Sequence, residues 1–121
     1  MGSAPEVSPT PTISPAVQLA PKQAPLTTKE EITAEIIRVF GPLADQALCI
    51  AKNESGFRAD AVGSNANGTI DRGVYQLNSY WQSHITDEEA YDARTNIRYA
   101  KQIRDEWGNW NAWHARTKCG L

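Results

Sequence analysis

The sequence predicts one small α+β domain, mostly α, carried behind a proline-rich leader. Three observations lead there. Six of the seven prolines fall within residues 1–26. Apolar residues recur at helical spacing on both sides of the domain's middle, and between them Asn, Gly, Ser and Thr punctuate short β-prone runs.

The leader, "MGSAPEVSPTPTISPAVQLAPKQAPL", is rich in Ser, Thr and Ala and shows neither helical nor strand periodicity, so it reads as a flexible or polyproline-like linker. Its first three residues have the look of a cloning remnant, and a natural signal peptide or anchor is expected to have stood upstream. Nothing in the 121 residues is apolar enough to span a membrane. Residues 27–121 then form a domain of about 95 residues, small for a core to hold unaided. Cys49 and Cys119 are read as a disulfide in an exported protein, the other reading being two separate buried thiols. Closing so long a loop would stabilise the fold by roughly 4 kcal/mol. A net charge of −2 and a pI of 5.6 argue against nucleic acid, whose phosphates need clustered Lys and Arg.

"TTKEEITAEIIRVF" opens with Thr28 and Glu31 in capping-box spacing and carries Ile32, Ile36 and Phe40 on one face, which predicts a helix ending at Gly41–Pro42. "PLADQALCIAKNESG" predicts a second helix, with Leu43, Ala47 and Ile50 on a stripe that reaches Glu54 and Gly56 as its C-cap. "VGSNANGTIDRGVYQLNSYWQ" reads as a hairpin or small irregular sheet, with "GVYQLN" as a short strand. "TDEEAYDARTNIRYAKQIRDEW" reads as one helix capped by Thr86 and Glu89, with Ile97, Ala100, Ile103 and Trp107 as its apolar stripe. "GNWNAWHARTKCGL" predicts a last short helix.

The chemistry-bearing residues are two carboxyls. Glu54 sits at the carboxyl end of an apolar helix, where both the helix dipole and burial disfavour its anion, so it suits a proton donor. Asp71 follows seventeen positions later in polar, glycine-flanked surroundings. Two carboxyls with pKa values pushed apart provide the acid and the nucleophile or stabiliser that glycosidic cleavage needs. Sugar rings also need flat apolar platforms and amide hydrogen bonds, for which Tyr75, Tyr80, Trp81, Trp110, Trp113, Gln76 and Asn78 are the candidates. Strict strand alternation would put Asp71 and Gln76 on opposite faces, so both line one cleft only if the chain turns or bulges near Gly73. Trp107 and Tyr99, at helical spacing, are read as core. His84 and His114 are isolated and read as solvent-facing. Asn65, Asn67 and Asp71 have a superficial calcium-loop spacing but lack its closing acidic residue, so no metal is assigned and no cofactor is implied.

"CIAKNESGFRADA" resembles the segment of chicken-type lysozymes that carries the catalytic glutamate, and "NGTIDRGVYQLNSYW" resembles that family's sheet segment. "DARTNIRYAKQI" and "WNAWHARTKC" resemble its long helix and its Trp-x-x-Trp segment. The resemblance covers roughly 28–119 and implies a lysozyme-like fold with one cleft. It makes Glu54 the general acid and Asp71 the nucleophile or electrostatic stabiliser, roles that are that family's standard example. It puts Trp110 beside Glu54, lines the sugar cleft with Gln76, Asn78 and Trp81, and pairs Cys49 with Cys119 as one of the family's four disulfides. The short segment after Trp81 implies a reduced β-lobe.

The motifs are shared with bacterial lytic transglycosylases, which cut the same bond without water. Those enzymes carry a late Ala-Tyr-Asn-Ala-Gly where this chain has "NAWHAR", which favours a hydrolase. A reading from another class is a glycan-binding module that kept the scaffold and lost catalysis. The expected partner is therefore the peptidoglycan glycan strand, met by a monomer in a secreted, periplasmic or extracellular setting. The leader is the expected point of attachment to a larger protein or a membrane.

Overall fold

The computed structural model describes residues 23–121; the proline-rich leader up to residue 22 lies outside the described residues. Helix α1 spans Lys29–Phe40, a 3-10 turn covers Gly41–Leu43, and helix α2 runs Ala44–Ser55. Strands β1 (Val62–Ser64), β2 (Ile70–Arg72) and β3 (Leu77–Asn78) form a small antiparallel sheet in that order. Helices α3 (Asp87–Tyr91) and α4 (Ala93–Trp107) follow, then a terminal 3-10 helix, His114–Cys119. The architecture is thus α+β and mostly helical, as the sequence predicts, and among the described residues no helix is long and apolar enough to cross a membrane.

Local chemistry sets the helix ends. The Thr28 hydroxyl accepts from the Glu31 N–H while the Glu31 carboxylate accepts from the Thr28 N–H, each at 3.1 Å. Thr86 and Glu89 repeat the reciprocal pair at the start of α3. The single helix expected over 86–107 is two. Asp92 adopts extended backbone, and its carboxylate caps α4 by accepting from the Thr95 N–H at 3.0 Å and the Thr95 hydroxyl at 2.8 Å. An aspartate that bonds nearby main chain competes with helix continuation, and here it wins.

The core lies where α1, α2 and α4 meet. Ile32, Ile36 and Phe40 face Ala47 and Ile50 of α2 and Ile97, Ala100 and Ile103 of α4, all buried. Leu26 also packs against this cluster, and Arg94 donates to the Ala24 carbonyl. The disulfide Cys49–Cys119 ties α2 to the terminal 3-10 helix.

Tyr75 corrects one expectation. Its ring is fully buried against Phe40 and Trp113 with its hydroxyl donating to the Ala47 carbonyl at 2.8 Å, so it is core and no sugar platform. "GVYQLN" is corrected too, because only Leu77 and Asn78 are strand and residues 73–76 make a tight turn. Gly73 takes φ +77, and Asn96 of α4 pins the turn, donating to the Arg72 and Ala90 carbonyls while accepting from the Tyr75 N–H at 2.9 Å. This is the turn that Asp71 and Gln76 need in order to share a cleft.

A Cβ on Gly73 would stand 2.3 Å from the Ala90 carbonyl oxygen and 2.5 Å from Asn96 Nδ2. Both the backbone conformation and the space demand glycine. Gly73→Ala is expected to destabilise the domain by about 2–3 kcal/mol. Urea unfolding checks this, and a midpoint equal to wild type would refute it.

Candidate active site

Glu54 extends the buried stripe of α2 by one turn beyond Ala47 and Ile50, half-buried where the helix meets open space. Gly56 ends the helix in the left-handed region, φ +63, its N–H bonding the Lys52 carbonyl at 3.0 Å. Burial pushes the Glu54 carboxyl up to about 7, and the negative field of Asp71 adds to the rise. A backbone hydrogen bond from Ala115 and the charge of Lys118 oppose it without overcoming it. A carboxyl so poised is protonated through the acidic range and half-protonated near neutrality, the state a general acid requires.

Asp71 stands in the central strand, with Gly63 opposite on one side and Asn78 on the other. Asn78 Nδ2 donates to Asp71 Oδ1 at 2.9 Å. The same amide's oxygen accepts from the Tyr80 and Trp81 N–H groups at 2.8 and 3.1 Å. Asn78 therefore fixes the carboxylate and the start of the Trp81 loop together.

Gln76 also has a defined orientation. Its backbone is left-handed, φ +52, a strained state for a residue other than glycine. Its Nε2 donates to the Ala61 and Gly73 carbonyls at 3.1 and 2.9 Å, which uses both amide protons and leaves Oε1 as the acceptor for the cleft. A Cβ on Gly63 would lie 2.9 Å from that oxygen and 3.7 Å from Asp71 Oδ2. Gly63 has an ordinary φ, so glycine is needed there for the space it leaves beside the two acceptors.

These groups line a cleft of about 670 Å³. Glu54, Asp71, Gln76 and Asn78 line it with Trp81 and Gln82 of the loop after β3. Leu77 of β3, Ile103 and Trp107 of α4 and the 111–114 segment complete the lining. Trp81 is 75% exposed and Trp107 56%, two flat faces open to a ligand. Trp113 borders the cleft too, although its body is buried and its Nε1 donates to the Tyr75 carbonyl at 3.0 Å.

Several sequence-level placements change. Trp110, expected beside Glu54, is only 4% exposed, packs on Phe40 and Trp113, and donates to Gln46 Oε1 at 2.7 Å. Of the Trp110–Trp113 pair, it is Trp113 that shares the cleft lining with Glu54. Tyr80 is exposed and meets Trp81 edge-on with ring centroids 5.0 Å apart, outside the lining. Trp107, expected in the core, lies on the cleft because α4 runs a full turn past Ile103, the last buried residue of its stripe. His114 is exposed, as expected, but into the cleft. Gln82 and Asn111 also reach the cleft, and the sequence carries no signal of it, since a lone polar residue in a loop has no spacing pattern. Among the described residues no group of three His, Cys, Asp or Glu side chains is arranged to hold a metal ion.

A family model described as a lysozyme-like domain matches residues 39–115. Lysozyme P of Drosophila melanogaster is 31% identical over 86 residues, 59% of this chain and 60% of that protein. Lysozyme 1 of Musca domestica is 28% identical over 117 residues, 83% of this chain and 82% of that protein. Lysozyme C of Ortalis vetula is 31% identical over 85 residues, 59% of this chain and 66% of that protein. The chain thus spans about three fifths to four fifths of these relatives.

Proposed function

Because the chain belongs to the lysozyme-like domain family, we propose that it is a glycosidase cutting the β-1,4 bond between N-acetylmuramic acid and N-acetylglucosamine in peptidoglycan. The observation that carries this reading is the pairing, in one cleft, of Glu54 with a carboxyl raised to about 7 and Asp71 held by Asn78. Protonated Glu54 gives its proton to the glycosidic oxygen as the bond to C1 breaks. Asp71 steadies or attacks the oxocarbenium-like carbon from its own side of the ring. Water then adds at C1, displacing Asp71 where it has bonded there and giving one proton back to Glu54, and the strand is released with a free reducing end. Trp81 and Trp107 offer the faces on which sugar rings stack. The disulfide favours an oxidising compartment outside the cytoplasm, where the peptidoglycan lies.

Mass spectrometry of muropeptides released from purified peptidoglycan tests the reading. Products ending in a free reducing muramic acid are expected. Anhydro products, lighter by one water, would instead make the protein a lytic transglycosylase, with Glu54 as sole acid and base. No products, together with retained glycan binding, would leave a binding module.

A further inference from the structure

On β2, alternation sends Asp71 to the cleft and Arg72 the other way, into the protein. Arg72 is 2% exposed, an uncommon place for a cation. Its guanidinium has five N–H groups, and the structure gives five acceptors. Nε donates to the Leu77 carbonyl at 3.0 Å. Nη1 donates to the Ile85 carbonyl at 2.9 Å and to Asp87 Oδ1 at 3.0 Å. Nη2 reaches the Asn78 and Gln82 carbonyls at 3.4 and 3.3 Å.

Four of these acceptors are main-chain carbonyls of one stretch, 77–85, which beyond Asn78 has neither helix nor strand. The disulfide lies elsewhere, between Cys49 and Cys119. That stretch carries Trp81 and Gln82 on the cleft and Asn78 on Asp71. We propose that Arg72 is the positioning residue of this cleft wall: its fork of hydrogen bonds gives the 77–87 loop the shape in which Trp81 and Gln82 meet a glycan. The second half of that statement rests on the glycosidase reading. Lysine is no substitute, because a point charge with three donors spans no such set of carbonyls. Asp87, 74% exposed on its side chain, caps the arrangement from the solvent side without lining the cleft.

Amide hydrogen exchange together with chitotetraose binding, both in a Glu54→Gln background so that nothing turns over, tests the proposal. Arg72→Lys is expected to speed exchange in 79–86 by about tenfold while α1, α2 and α4 keep their protection. The Kd for chitotetraose should rise by about tenfold with it. Asp87→Asn, which keeps the shape and removes the charge, should do the same by about two- to threefold and decides the matter if Arg72→Lys does not fold. Unchanged exchange, or exchange rising equally through all helices, would overturn the positioning role, as would local loosening with undiminished glycan binding. Local loosening in a protein whose Arg72 parent binds no chitotetraose would uphold the clamp and sink the glycan reading alone.

Discussion

Glu54→Gln is expected to abolish peptidoglycan cleavage, with turnover falling by about a thousandfold or more while glycan binding persists. Gln has the size and hydrogen-bonding shape of the protonated acid but no proton to give. The wild-type enzyme should in turn lose activity as pH rises through about 7, because that is where the Glu54 carboxyl ionises. The same shift has a thermodynamic consequence. The folded state holds the Glu54 proton up to about 7, whereas the unfolded chain releases it near the ordinary value of 4.5. Between those values the native state binds more protons, so the contribution of Glu54 to stability is full below 4.5 and lost as pH rises through about 7. Glu54→Gln escapes that loss and should be more stable than wild type at pH 8, by on the order of 1 kcal/mol once solvent screening of a half-buried group is allowed for. Urea midpoints at pH 5 and pH 8, beside turnover on purified cell wall, check both parts. A Gln variant that still cleaves would sink the mechanism, and a stability gain independent of pH would mean that Glu54 is not the burdened group.

How far the site was readable from residues follows from which physical signals are local. Glu54 was readable because Ala47, Ile50 and Glu54 share helical spacing and Gly56 marks the helix end, both properties of a few adjacent residues. Asp71 and Gln76 were readable only as a condition, a turn near Gly73. The structure meets it through Asn96, a residue more than twenty positions away whose side chain pins that turn. The aromatic residues show the opposite case. Spacing tells which face of α4 Trp107 shares with Ile103, but where along that face the core stops depends on what packs against it. In the same way Trp110 and Trp113, equally buried, are told apart only by their neighbours, Phe40 and Gln46 around one and the cleft beside the other. Arg72 was invisible as well: nothing local marks a buried arginine, because its partners are carbonyls that every residue owns.

Removing the Cys49–Cys119 bond is the second large effect expected. The bridge spans 70 residues, and in the chain-entropy model its loss costs about 4 kcal/mol. A domain of this size is stable by only about 5–15 kcal/mol in all, so the cost is a large fraction of the total. Thermal unfolding of Cys49→Ala/Cys119→Ala should come roughly 15–30 °C below wild type. The loss should also reach the chemistry. Cys49 lies in α2 ahead of Glu54, and Cys119 ends the 3-10 helix that holds Ala115 and Lys118, both of which lower the Glu54 pKa. With the bridge gone, that helix is free to drift from α2, and the two groups that favour the Glu54 anion weaken. The alkaline limb of the pH–activity profile, measured well below the melting temperature, should then move upward relative to wild type. A limb that moves downward would mean that water has entered beside Glu54 and relieved its burial, making the bridge a guard of the dry site. A melting temperature within about 5 °C of wild type would show that the helical core alone holds the fold.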